Sequence, residues 1–150
     1  MENNIKLDSK ETLEERFSRE RLEWTEKIKD ISKRLHVIFD IPELMTTLYT
    51  ERQRAAEYYH YLITLLIALN KKYNAAYAEK YDYYTNKVQI RYPTESSKHN
   101  RIQTDLADLV EKKAIIENHS KFIDQCIRTI DAIIYAIPKR IEIEQIARGK

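Results

Sequence analysis

Glycine occurs once in the 150 residues (Gly149), cysteine once (Cys126) and proline three times (Pro42, Pro93, Pro138). Sheets and multi-strand folds need glycine and proline at their turns, so this scarcity argues against them and makes long helices the default. A lone cysteine gives neither an internal disulfide nor a paired-cysteine zinc site, which fits a reducing compartment. Long apolar runs are missing as well. The longest, Tyr61 to Leu69, is less than half of what a membrane crossing needs. Residues Met1 to Lys10 are polar and charged, and are read as a disordered segment rather than a signal peptide. The expectation is a soluble, cytoplasmic protein with no membrane partner.

What the chain does have is a 43% hydrophobic share, enough for one core and a single helical domain over residues 1–150. Its formal charge of +2 is unevenly placed. Residues 71–101 carry seven basic groups against three acidic ones, whereas every other stretch is balanced or slightly acidic. A local basic excess is the electrostatic footprint of a polyanion binder.

Apolar periodicity sets out the helices. Phe17, Trp24, Ile28, Ile31, Leu35 and Ile38 share one face of a first helix that begins near Ser9 or Thr12. Asp40-Ile41-Pro42-Glu43 starts a second, with Asp40 as cap, Pro42 in the first turn and Glu43 completing a box. From Met45 a heptad-like seam runs through Leu48, Arg52, Ala55, Tyr59, Leu62, Leu66, Leu69, Tyr73, Ala76, Lys80 and Tyr83. Residues 88–100, with Pro93, Ser96 and Ser97, read as a loop that returns the chain. A third long helix keeps the same rhythm from Ile102 to Ile137 and pairs with the second. Pro138 then breaks or kinks it, leaving 138–150 as a short C-terminal helix whose Ile141, Ile143 and Ile146, with Ile137, seek a subunit contact. The fold class is therefore all-α: long antiparallel helices in a hairpin or bundle, assembled as a homo-oligomer.

One constellation carries chemistry. Tyr73, Tyr77, Lys80, Tyr84 and Lys87 fall near one line of the second helix, while Glu79 and Asp82 point to the other side. Alternating rings and ammonium groups suit single-stranded DNA, whose bases stack and whose phosphates seek cations. Lys71, Lys72, Arg91, Lys98 and Arg101 extend the field. The competing reading is that tyrosines at this spacing simply pack in a helix seam, on which Tyr73 and Tyr83 lie.

The segment Tyr77-Ala78-Glu79-Lys80-Tyr81-Asp82-Tyr83-Tyr84 resembles the L-K-A-R-L-D-Y-Y stretch of the UvsY family of phage recombination mediators. Ile130-Asp131-Ala132-Ile133, the terminal Arg140-Ile141-x-Ile143-x-x-Ile146 and the final Gly149-Lys150 are similar to later parts of that family, so the resemblance covers about residues 24–150. It implies a non-enzymatic, cofactor-free, ring-like homo-oligomer, a hexamer or heptamer. That assembly would bind single-stranded DNA and help a RecA-like recombinase, UvsX, replace the phage single-stranded-DNA-binding protein in the infected host's cytoplasm. Lys80 takes the place of the motif's arginine, Asp82 of its aspartate, and Tyr83 and Tyr84 of its tyrosines. Ala78 replaces its lysine, and Ile141 stands where the family has an aromatic.

Catalysis has little support, for there is no phosphate loop, nucleophile elbow or histidine pair at ligand spacing. Glu57-x-x-His60 occurs once, whereas di-iron bundles need it twice. His36, His99 and His119 are isolated in sequence. The main rival is a coiled-coil adaptor that binds a protein partner and whose basic stretch is a solvated face.

Overall fold

The computed structural model describes residues 11–87, 92 and 94–149. These form four α-helices with no strand among them: α1 (Leu13–Arg34), α2 (Ile41–Asp82), α3 (Glu95–Asp105) and α4 (Ala107–Ala147). A 3-10 turn, Ile38–Asp40, leads into α2, and a π-helical turn, Tyr83–Lys87, closes it. The expectations for Met1 to Lys10, Arg91, the first half of the 88–100 loop and the side chain of Ile38 lie outside the described residues.

Local chemistry explains the helix starts. Thr12 caps α1 through a reciprocal box: its hydroxyl accepts from the Glu15 backbone N–H at 3.2 Å, and the Glu15 carboxylate accepts from its own. α2 starts at Ile41 as the Pro42 signal predicts and runs 42 residues. The Asp40 carboxylate, expected to cap α2, takes the Arg34 guanidinium at 2.6 Å and ties the two ends of the α1–α2 turn. That contact holds its carboxyl below the usual carboxylate range.

Three expectations are corrected. Ser96 to Asn100 are helical, because Thr94 caps α3 by accepting from the Ser97 N–H at 3.0 Å and Glu95 suits the first turn. The helix carrying Ile102 is interrupted at Leu106, so α3 and α4 are separate. Pro138 does not end α4, which continues to Ala147, so no separate C-terminal helix exists. The proline is exposed, and its neighbours Ile137 (buried) and Ile141 (half-buried) anchor the backbone on either side. An Arg140–Glu144 ion pair at 3.6 Å supports the next turn. The cost of one missing helical hydrogen bond is offset locally.

The chain divides into two compact units. The first comprises Met1–Tyr58 and Phe122–Lys150. Here α1 and α2 run antiparallel: Lys27 meets Glu51 at 3.1 Å, and the Tyr58 hydroxyl donates to Glu20, about two turns back along α1 and on along α2. Arg52, which stands in the expected seam, resolves its charge by bonding Asp131 of α4 at 2.5 Å. The core is Phe17, Trp24, Ile31, Ile41, Leu44, Leu48, Ala55, Ile123, Cys126, Ile130 and Ile137. Ile137, expected at a subunit contact, is 3% exposed and belongs to this core. Burial pushes the Cys126 thiol up to about 11, which leaves it a small, unreactive core residue.

The second unit is Tyr59–Lys121. Leu62, Ile102, Leu106 and Ile116 are its buried apolar side chains, and His119 and Ser120 are buried with them. It holds ten basic groups against seven acidic ones and eight of the eleven tyrosines.

Candidate nucleic-acid interface

Every tyrosine and lysine of the expected stripe belongs to the second unit. Tyr73, Tyr77 and Tyr81 recur every fourth residue on α2 and so form a ladder along one helical face. Ring centroids are 6.1 Å apart between the first two and 6.4 Å between the second two, where the planes lie within 21° of parallel. None of the three is buried. Each ring has a nitrogen-bearing neighbour. Lys113 of α4 sits 5.7 Å from the Tyr73 centroid, the Tyr77 hydroxyl is 2.6 Å from Nδ1 of His99, and Lys98 lies 4.6 Å from the Tyr81 centroid.

Tyr81, His99 and Lys113 were not in the expected set. The i, i+4, i+8 spacing of Tyr73, Tyr77 and Tyr81 was visible in the sequence. The approach of α3 and α4 was not, because it depends on where the chain turns back.

At the lower end of the ladder the arrangement differs from expectation. Tyr84 donates its hydroxyl to Asp105 and accepts from Arg101 Nε at 3.2 Å, with the rings of Tyr83 and Tyr92 edge-on at 5.2 and 5.3 Å. The bond to the carboxylate raises the phenol above its ordinary value, so Tyr84 is a neutral donor at physiological pH. Lys80 lies 3.9 Å from Asp105, and Lys87 lies 3.6 Å from Asp82. The stripe is therefore not free of acidic neighbours. Asp82 reaches Lys87 across the π-helical turn, and Asp105, just past the basic stretch in sequence, folds back onto it. Tyr83, placed in the seam by its spacing, is 48% exposed instead.

Lys98, expected to add to an open basic field, is buried. Its ammonium is held by Thr85 Oγ1 at 3.1 Å and Glu95 Oε1 at 3.2 Å. Glu95 also accepts from the Tyr81 hydroxyl at 3.1 Å, and these two bonds hold its carboxyl below the usual range, Lys98 contributing more. Lys71 and Lys72 are exposed, and no acidic side chain among the described residues pairs with either. They are the expected cations most open to a polyanion.

Among the described residues no group of three His, Cys, Asp or Glu side chains is placed to hold a metal ion. Glu57 takes the Gln53 amide at 3.1 Å, and His60 packs its ring edge-on to Tyr59. His36, isolated in sequence, faces Arg140 at 3.4 Å. No described helix is long and apolar enough to cross a membrane. No protein family, curated protein or solved structure matches the chain.

Proposed function

We propose that the protein binds single-stranded DNA along the Tyr73–Tyr77–Tyr81 face and serves as a recombination mediator. In this reading it promotes loading of a RecA-like recombinase such as UvsX onto DNA coated with single-stranded-DNA-binding protein, in the cytoplasm of a phage-infected bacterium. It needs no cofactor and carries out no bond-making step of its own. The observation that carries the reading is the ladder itself: three partly exposed rings at a regular 6.1 and 6.4 Å, with the exposed Lys71 and Lys72 at its upper end. Bases stack on such rings regardless of sequence, while ammonium groups hold the phosphates.

The decisive measurement is fluorescence anisotropy of a labelled oligonucleotide across a salt series. Affinity for single strands should exceed that for duplex and fall log-linearly with salt, by about 0.7 log units per phosphate contact for each tenfold rise in salt. Replacing Lys71 and Lys72 together by alanine should flatten the slope by about 1.4, because no carboxylate among the described residues engages either. Absence of binding in dilute salt would defeat the reading.

The homo-oligomer expected from the C-terminal isoleucines is proposed through Ile143 and Ile146, which are 63% and 67% exposed. Isolated apolar side chains at the surface are common, but two on successive turns of one helix form a stripe that a second helix can cover. Replacing both by aspartate is expected to reduce the particle mass by light scattering without altering the helical signal. An unchanged mass would remove these residues from the assembly.

The alternative is an adaptor that binds a protein partner. It is favoured by the capture of Lys80 and Lys87 by Asp105 and Asp82, which is how a solvated, structurally employed charged surface looks. The salt series separates the two, since an adaptor leaves the oligonucleotide free.

A further inference from the structure

Where α3 ends, Asp105 gathers one hydroxyl donor and two cations around one carboxylate. Its Oδ2 accepts from the Tyr84 hydroxyl and lies 3.9 Å from Lys80 Nζ, while Oδ1 lies 3.4 Å from Arg101 Nε. The side chain of Asp105 is 15% exposed, whereas those of Lys80 and Arg101 are 43% and 51% exposed. The acid is thus covered and its two cations remain open from the solvent side. Two positive charges, one neutral hydroxyl donor and one carboxylate leave a net positive centre.

A phosphodiester makes the same demands as this carboxylate: one negative charge, two oxygens that accept, and partners that include a guanidinium and an ammonium. Tyr84 adds a hydroxyl donor, and it follows Tyr81, the last rung of the ladder, by three residues. The cluster is a ready-made oxyanion cradle already filled by an acid of the chain itself.

We propose that Asp105 is an internal stand-in for a phosphate group, holding Lys80, Arg101 and Tyr84 in place while neutralising part of their charge. On the reading that the adjacent ladder receives single-stranded DNA, a backbone phosphate entering here competes with Asp105. The carboxylate then sets how tightly, and how salt-sensitively, the strand is held. An intramolecular acid weakens non-specific grip on any polyanion, and a strand that also stacks on the rings has the additional contacts needed to displace it. The ligand chemistry is a phosphate oxyanion, whether in a polynucleotide or free.

The test uses the full-length protein and the Asp105→Asn variant, which keeps the shape and removes the charge, with Asp105→Ser as a second variant should the amide not fold. Thermal melts establish folding. In dilute salt the Asn variant should bind a labelled single strand at least about fivefold more tightly than the parent, with a salt slope steeper by about 0.7, one added phosphate contact. Adding Lys80→Ala to that variant should abolish the gain. Inorganic phosphate, titrated as a competitor and by calorimetry alone, separates the two sources. Displacement of the strand at millimolar phosphate marks a site for the free ion as well, and insensitivity marks one that takes the polymer. A folded charge-neutral variant that binds the strand no better than the parent overturns the role of Asp105 and leaves the DNA reading intact. If neither protein binds the strand, the DNA reading falls. The cradle is then upheld by tighter calorimetric binding of phosphate to the variant than to the parent, and overturned by equal binding.

Discussion

Replacing Tyr73 and Tyr77 together by alanine is expected to weaken binding of single-stranded DNA by at least thirty-fold, roughly 2 kcal/mol, the lower end of what two stacking rings supply. The two rings are neighbours on one face, 6.1 Å apart, and both are partly open. A confounding effect is built in, because the Tyr77 hydroxyl also meets His99 of α3 at 2.6 Å. Tyr77→Phe resolves it, since that change removes the hydrogen bond and keeps the ring. If stacking is what holds the strand, the phenylalanine variant binds like the parent and the double alanine variant does not. If the phenylalanine variant loses as much as the double one, the tyrosine acts by docking α3, and the rings are packing residues. Circular dichroism melts run beside the anisotropy measurements report that docking directly.

The second large effect concerns stability. Ile130→Ala should destabilise the protein by about 2–5 kcal/mol, read as a shift in the denaturant midpoint, while Ile143→Ala should change it by less than about 0.5 kcal/mol. Both are isoleucines of α4, thirteen positions apart, and both continue its apolar rhythm. Ile130 is completely covered by its own chain, so truncation removes transfer energy and leaves a void. Ile143 is 63% exposed, so its methyl groups are already in water and no cavity forms. A large loss from Ile143→Ala would mean that this side chain is covered in solution, which is the signature of assembly and would show as a concentration-dependent midpoint.

The helices were legible wherever the local code is strong. The Thr12 cap, the Pro42 start and the spacing of Leu48, Ala55, Leu62, Ile116, Ile123 and Ile130 all appear as expected, because capping and apolar period act within one or two turns. Errors arose where local and distant effects compete. Ser96 and Ser97 suggested a loop, yet with Thr94 before them they form the first turn of a helix; the Thr94-Glu95 pair was the missed signal. Pro138 suggested a stop, but an exposed ring flanked by anchored isoleucines costs only one hydrogen bond.

The candidate site was half legible. The tyrosine period could be read from α2 alone, and so could the positive excess of residues 71–101. The neutralising acid could not, since Asp105 lies outside that window and comes to Lys80 only through the turn that brings α3 back. Lys98 was misread for the same reason: its burial depends on Thr85 and Glu95, from opposite sides of the connection. Charge counted along a chain is not charge displayed in space.

Pro138 has one more effect. Having no N–H, it leaves the carbonyl of Ile134 without its usual donor, so α4 is weakest at a single link while remaining helical on both sides. Just past that link the half-buried Ile141 and the approach of Arg140 to His36 at 3.4 Å hold the helix against the turn that leads into α2. A neighbour gripping Ile143 and Ile146, both exposed, would meet α4 beyond the missing bond and away from the packed interior around Ile130.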